Sequence, residues 1–339
     1  MYVVLDTNIW LHELALQTPL GSAVRFFLRQ GGHKLVVPEV IRLEVEKNLR
    51  SDLRDWRDSI AESHRKLLAM FGKLPEVKLP TDADIEQRVT SVFDGSGLDI
   101  VAVPFSLDSA RAALLKTIDG VAPSGPKNQQ FKDGVIWADC MQLLDRDDVT
   151  LVTEDRAFYH DRAKPDLGPA ENLAAEAKAR PRSLVLLPDL GRLLGNIREK
   201  VQIDEGAVAD AMAAASAESI DAFLARQGYV LGERRVIKLK LFATEEPARL
   251  AGSATVTYAC AAIDQQLDGS PGTLTQVAEF EYDCTKSAIV SIRQGSETME
   301  TVGPEGEPRF TRIVYAVGGG TLGHRTVRHE VRRPLQGDG

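Results

Sequence analysis

The chain opens with residues 3–8, VVLDTN, and this stretch decides the fold that the sequence predicts for its first part. The apolar residues 3–5 are typical of a short strand buried on both faces, as strands of parallel sheets are. Asp6 follows directly, and in open α/β sheets functional sites lie at the carboxyl ends of the strands. A buried carboxylate there needs a cation or hydrogen-bond donors beside it. The stretch therefore predicts an α/β fold with an acidic group at one edge of its sheet.

Asp6, Thr7 and Asn8 also fit a second interpretation, because all three residue types are good helix N-caps. Residues 9–16 would then form the helix that this cap begins. One carboxylate does not decide between the two interpretations. Further acids at equivalent positions later in the chain would favour a functional site.

Length, charge and cysteine content narrow the class of protein. A chain of 339 residues exceeds the usual single core, so we expect two domains, residues 1–200 and 201–339. The net charge of −8 excludes a general attraction to nucleic acid or to anionic membranes. Three widely separated cysteines argue against disulfides and zinc, and they favour a reducing cytoplasm. The sequence has no long uncharged run, which argues against a membrane protein.

Other short apolar runs predict further strands of the same sheet. Residues 35–37 and 184–187 are two such runs, whereas residues 100–103 fit either a strand or an extended loop. Residues 149–152 form another run, which ends in residues 153–155, TED. This ending mirrors the first strand, where a threonine and an acid also follow an apolar run. Strands that end in the same way converge on one edge of a parallel sheet.

Three more acids occupy positions from which they can join the first one. Glu44 lies on the apolar stripe of a long predicted helix over residues 41–71, and Asp155 follows the strand that ends in TED. Asp133 lies in the first turn of another predicted helix, where the helix dipole favours an ionised carboxylate. A solvated helix face would also explain Glu44, and helix capping would also explain Asp133. Asp139 lies about two turns beyond Asp133, and we include it as an auxiliary residue.

Four carboxylates without histidine or cysteine have a definite chemistry. They are hard oxygen ligands, which suit Mg²⁺ or Mn²⁺ and are poor ligands for zinc. Such ions polarise phosphoryl oxygens, lower the pKa of a bound water and stabilise a leaving oxygen in phosphodiester hydrolysis. Thr7, Asn8 and Thr153 would orient the ligands and the water as hydrogen-bond donors.

Taken together, these motifs resemble the PIN domain family. The resemblance covers about residues 1–190 and none of the rest. It rests on the DTN of residues 6–8 after a strand, Glu44 six residues after Pro38, Lys132-Asp133 at a helix start, and the TED of residues 153–155 after a strand. The run FKDGVIW, residues 131–137, further resembles a larger bacterial PIN-like subgroup.

The resemblance implies a parallel sheet flanked by helices, a ribonuclease activity that depends on Mg²⁺ or Mn²⁺, and a homodimer. Carried over position by position, it makes Asn8 and Thr153 supporting polar residues. The metal-binding and catalytic acids that it implies are Asp6, Glu44, Asp133 and Asp155. The segment over residues 72–130 is larger than in compact toxin-type members, which argues against a toxin role.

The function that the sequence favours is a metal-dependent endoribonuclease that cuts single-stranded RNA. Lys127, Lys132 and Arg156 are the candidate contacts to the RNA phosphates. A charged residue beside an acid commonly acts as its neutraliser, which is the simpler explanation for all three. DNA is an alternative substrate, because the sequence contains no recognisable reader of a 2′-hydroxyl.

Two rival functions belong to other classes. The first is a non-catalytic RNA-binding or scaffold protein that keeps the fold, although retention of all four acids argues against it. The second is phosphatase-like chemistry with Asp6 as the nucleophile. That chemistry calls for a second aspartate two residues on, where this chain has Asn8.

The part of the chain after residue 200 has a different pattern. Residues 207–227 are rich in alanine and predict one amphipathic helix. Five later runs, which alternate or are β-branched, predict an antiparallel sheet, so we expect a second, α+β domain of mainly antiparallel strands. The basic residues 324–333 fit a solvated strand end with a frayed terminus better than an RNA contact.

Overall fold

The computed structural model divides the chain into two compact units, Met1–Gly195 and Asn196–Gly339. The sequence predicts this boundary at residue 200. The structure describes residues 1–94, 97–126, 128–161, 163–195, 203–263, 272–302, 308–314 and 328–330.

Unit 1, Met1–Gly195, contains a five-stranded parallel sheet with helices between its strands. Two short 3-10 turns, Arg156–Phe158 and Pro165–Leu167, follow the fourth strand. The other elements are β1 (Tyr2–Leu5), α1 (Thr7–His12), α2 (Pro19–Gln30), β2 (Lys34–Pro38), α3 (Glu39–Phe71), α4 (Asp82–Thr90), β3 (Ile100–Val103), α5 (Leu107–Asp119), α6 (Phe131–Leu143), β4 (Val149–Val152), α7 (Glu171–Lys178), β5 (Leu184–Leu187) and α8 (Leu190–Leu194).

The sheet has the strand order β3-β2-β1-β4-β5, so β1 lies in its middle. Val3, Val4 and Leu5 are fully buried, as expected for a strand covered on both faces. The chain adds β2 and β3 on one side of β1 and β4 and β5 on the other. The point between β1 and β4, where the order reverses, is where open α/β sheets form their sites. The predicted α/β sheet is thus confirmed, and residues 100–103 are a strand.

The helix predicted over residues 9–16 ends early. α1 stops at His12, because Leu14, Ala15 and Leu16 adopt left-handed backbone with φ of 48°, 56° and 64°. Residues other than glycine rarely adopt this backbone conformation. α2 passes against this turn at Gly21, where a Cβ would lie 2.5 Å from the backbone of Leu16. Glycine is therefore required at that close approach.

The helix α3 is the longest of unit 1 and runs for 33 residues to its left-handed cap at Gly72. It begins at Glu39, directly after Pro38, which ends β2 and is the N-cap residue of the helix. Its buried positions are Ile41, Val45 and Leu49, all in the first half. The apolar periodicity therefore predicted the helix correctly but not the burial of its second half.

Unit 2, Asn196–Gly339, packs one helix on an antiparallel sheet, as the sequence predicts. Three strands are longer than the predicted runs 236–242, 254–263 and 288–292. The strand β6 begins at Tyr229, β7 begins at Arg249 and β9 continues to Val302. The elements are α9 (Glu205–Gln227), β6 (Tyr229–Ala243), β7 (Arg249–Ala262), β8 (Gly272–Asp283), β9 (Ala288–Val302), β10 (Pro308–Val314) and β11 (Arg328–Glu330). They form a sheet in the order β11-β10-β9-β8-β7-β6.

The core of unit 2 forms where α9 meets the sheet. Met212, Ile220 and Phe223 of α9 pack with Tyr258 and Phe280 of the strands. The basic stretch predicted over residues 324–333 lies largely outside the described residues.

Cys140 and Cys260 are buried free thiols, and Cys284 is an exposed one. Among the helices of the described residues, none combines the length and the apolar character needed to cross a membrane.

Candidate active site

The first acid, Asp6, leaves the sheet next to Thr153. Leu5 and Val152 are partners in the register of β1 and β4, so the residues that follow them emerge side by side. The Thr153 hydroxyl donates to Asp6 Oδ2 at 2.5 Å, and the Thr7 N–H donates to Oδ1 at 2.7 Å. Asp6 is 6% exposed and is also the N-cap of α1. Asp6 therefore lies at the sheet edge and caps α1 at the same time.

The second acid, Glu44, reaches the same edge from α3. The Thr7 hydroxyl donates to Glu44 Oε2 at 3.0 Å. The ammonium of Lys132 forms an ion pair with the other oxygen, Oε1. Thr7 thus contacts Asp6 through its backbone and Glu44 through its side chain.

The other two acids, Asp133 and Asp155, come from the start of α6 and the end of β4. Asp155 Oδ1 accepts from the Ala157 N–H at 2.8 Å, which caps the following 3-10 turn. Asp155 Oδ2 accepts from the Gln130 side-chain amide at 3.3 Å. Asp133 is half-buried in the first turn of α6 and forms a hydrogen bond with Asp155. Thr153 joins this pair to Asp6, since its hydroxyl also accepts from the Asp155 N–H at 3.0 Å.

Burial and, after it, repulsion by neighbouring acids raise the pKa of two of these carboxyls. Burial raises the pKa of Asp133 to about 8, and the charges of Asp155 and Asp6 and the hydrogen bond with Asp155 add to the rise. Lys132 lowers that pKa. Burial also raises the pKa of Asp6, against the lowering effect of its hydrogen bonds. A divalent cation would remove this cost, because it favours the ionised form of every carboxylate around it.

The donor set of the site consists of oxygen atoms, which fit a hard cation. Among the described residues, no three of the four acids bring one carboxylate oxygen each within 4.8 Å of one another. Lys132 and Gln130 instead reach the oxygens of Glu44 and Asp155.

The supporting and phosphate-contact candidates lie at different places. Asn8 Oδ1 accepts from the Ile9 N–H at 2.8 Å, beside Asp6 in sequence. Arg156 is exposed in the 3-10 turn that follows Asp155. Lys132 pairs with Glu44, and Lys127 lies outside the described residues.

The auxiliary residue, Asp139, faces a different part of the unit. Its carboxylate is 1% exposed and accepts from the Ser109 hydroxyl of α5 at 2.5 Å. Burial raises its pKa to about 6, and the bond from Ser109 acts in the opposite direction. The structure therefore brings Asp139 to the packing surface of α5 and α6, away from the other acids.

Gln130 is the contact of the site that the sequence analysis missed. It is the N-cap residue of α6 and precedes Asp133 by three positions. The sequence signal for Gln130 was its position directly before the helix. A polar residue there lies at the same end of the helix as an acid in the first turn. By sequence alone it is the last residue of the polar loop predicted over residues 119–130.

Comparison with known protein families agrees with this geometry. Residues 3–158 match the model of the PIN domain. The chain carries a PIN domain. The match begins in β1 and ends just after β4, so it includes every acid of the site. Neither the curated proteins nor the solved structures contain a match to this chain.

The match relates residues 3–158 to domains whose general activity is known. PIN domains are generally nucleases and typically use divalent metal ions. The fold of unit 1 is accordingly nuclease-like, and nucleic acid is the class of partner that it suggests.

Proposed function

We propose that this protein is a metal-dependent endoribonuclease that hydrolyses phosphodiester bonds of single-stranded RNA. The observation that carries the proposal is the meeting of Asp6, Thr153 and Asp155 at the point where the sheet order reverses, with Glu44 and Asp133 reaching them from two helices. A match to the PIN domain over the same residues supports it.

The residues that would hold the ion are Asp6, Glu44, Asp133 and Asp155. A bound Mg²⁺ or Mn²⁺ supplies Lewis-acid polarisation of the phosphate and a bound water of lowered pKa. Thr153 and Thr7 would hold the carboxylates of Asp6 and Glu44 in place through the hydrogen bonds described above. Asn8 would fix the entry into α1, and Lys132 and Arg156 would contact substrate phosphates.

Single-stranded RNA is the proposed substrate, because a flexible strand enters an acidic cleft more easily than a stiff duplex does. Free thiols in all three cysteines support a reducing compartment, and we place the activity in the cytoplasm. We also propose a homodimer, for which α5 offers exposed apolar side chains. These are Leu107, Leu114, Leu115 and Ile118.

The test is Mn²⁺-dependent cleavage of a labelled single-stranded RNA by the wild type and by Asp6→Asn. We expect the substitution to lower the rate on the order of 100-fold or more, because it removes a charged ligand. Asp58→Asn, at an exposed aspartate of α3, is the matched control and should retain the wild-type rate. The same sequence as single-stranded DNA tests the alternative substrate.

Two outcomes would contradict the proposal in different ways. Equal rates for the wild type and Asp6→Asn would reject the assigned site. Binding of RNA without cleavage by any variant would favour the non-catalytic scaffold.

A further inference from the structure

Lys132 is a cation that lies directly on an acid of the proposed metal site. Its ammonium pairs with Glu44 Oε1, while the Thr7 hydroxyl donates to Oε2 at 3.0 Å. Both oxygens of Glu44 are therefore engaged, one by a neutral donor and one by a full positive charge. Lys132 belongs to α6 and Glu44 to α3, so the ion pair joins two helices.

Lys132 does not stabilise α6 from its position in that helix. It is the second residue of the helix, where the positive end of the dipole repels a cation. The ammonium is therefore stabilised by the Glu44 carboxylate of α3 and not by its own helix. The pair thus serves the contact between the two helices at the site.

The exposure of the pair makes it replaceable. The Lys132 side chain is 56% exposed and that of Glu44 is 23% exposed. Ion pairs with this access to water contribute little stability, and a divalent ion attracts a carboxylate more strongly than an ammonium does. An ammonium left in place would also repel the incoming ion.

We propose that Lys132 is an internal counter-cation that competes with the divalent metal for Glu44. The ammonium neutralises Glu44 before the metal binds and must leave its oxygen when the metal arrives. Lys132 therefore sets the metal concentration at which the site fills. The inference rests on the proposed function, since it requires that the site binds a divalent ion.

The test measures Mn²⁺ affinity of the full chain by electron paramagnetic resonance of free Mn²⁺, without RNA. We expect Lys132→Met to bind Mn²⁺ roughly two- to fivefold more tightly, the range that corresponds to loss of an ordinary surface ion pair. Lys132→Arg keeps the charge and should stay near the wild-type affinity. Lys178→Met, at an exposed lysine of α7, makes the same change in net charge and should have no effect.

A second background separates competition from a structural role. In Glu44→Gln the carboxylate for which Lys132 competes is gone. Adding Lys132→Met to that variant should therefore change the Mn²⁺ affinity much less than it does in the wild type. A lysine that merely positioned Glu44 would give the opposite sign, with weaker Mn²⁺ binding in Lys132→Met. Equal or weaker binding in that variant, with a wild type that binds Mn²⁺, would overturn the inference alone. A wild type that binds no Mn²⁺ would overturn the proposed function as well.

Discussion

Asp139 illustrates at the scale of one residue how helical geometry sorts acids. It follows Asp133 by six positions on α6, which turns its side chain by about 240° around the helix axis. The two carboxylates consequently face different neighbours, Asp155 for Asp133 and Ser109 for Asp139. Sequence spacing of about two turns suggested a shared face, whereas a shared face requires three, four or seven positions.

Asp139 should make the stability of the protein depend on pH. Its pKa is near 3.8 when unfolded and about 6 when folded, so the folded state binds the proton more tightly. The free energy of unfolding should therefore fall as pH rises from about 4 to 7, by about 3 kcal/mol from this group. Asp139→Asn removes the titration. Relative to the wild type, the unfolding free energy of this variant, measured in urea, should rise by about 3 kcal/mol between about pH 4 and 7.

Other groups titrate in this interval, and the difference between the two proteins cancels them. Asp58→Asn is again a suitable control, because it removes an exposed carboxylate. Parallel curves of unfolding free energy against pH for the wild type and Asp139→Asn would contradict the prediction.

The acids at the sheet edge were predictable from single residues, but their partners were not. Asp6 and Asp155 each follow a short apolar run, and that pattern alone predicts a strand tip. The contacts of Gln130 with Asp155 and of Lys132 with Glu44 depend on how separate helices and loops pack. A pattern within one segment carries no information about such packing.

At the scale of elements, Gly134 sets how closely α6 approaches α5. A Cβ at this position would lie 2.9 Å from the Cβ of Ala113 and 3.0 Å from its Cα. Such contacts are too short for carbon atoms, so a larger residue would push the helices apart. Because Gly134 follows Asp133 directly, that shift would also move the acid at the start of α6.

We expect Gly134→Ala to destabilise unit 1 by about 1–3 kcal/mol, as overpacking of a core does. Helix propensity acts in the opposite direction by about 1 kcal/mol, since alanine favours helix over glycine. Denaturant unfolding of the purified chain measures the sum. Combining the change with Ala113→Gly should recover part of the loss, because it removes the closer of the two contacts. A variant more stable than the wild type would show that the helices have room.

The strands show where element patterns succeed and fail. The buried strands of unit 1 were recognised because they are short apolar runs between helices. In unit 2 the first part of β6 and the second part of β9 were missed, since residues such as Glu233, Glu297 and Glu300 interrupt the apolar alternation. Their backbone pairing with neighbouring strands keeps them extended, which local sequence does not reveal.

At the scale of the whole molecule, the proposed site lies entirely within unit 1. Every acid and every described partner of those acids lies before Gly195. The buried residues of the parallel sheet give this unit its own core. Metal binding should therefore not need unit 2.

We expect a fragment of residues 1–195 to unfold cooperatively and to bind Mn²⁺ with the affinity of the full chain. Circular dichroism during thermal unfolding and resonance of free Mn²⁺ measure the two properties. The fragment with Asp6→Asn is the control for binding at other carboxylates. A fragment that folds but binds Mn²⁺ much more weakly would assign unit 2 a part in the site.

The central place of β1 also fixes when the proposed site is completed during synthesis. Asp6 leaves the ribosome early, but Thr153, to which it is hydrogen-bonded, is made 147 residues later. At about 5–20 residues per second this interval lasts roughly 7–30 s. Throughout that time the nascent chain has the first acid without β4 or Asp155 beside it. The proposed site is therefore still incomplete while most of this domain is being made, with the messenger bound in the same ribosome.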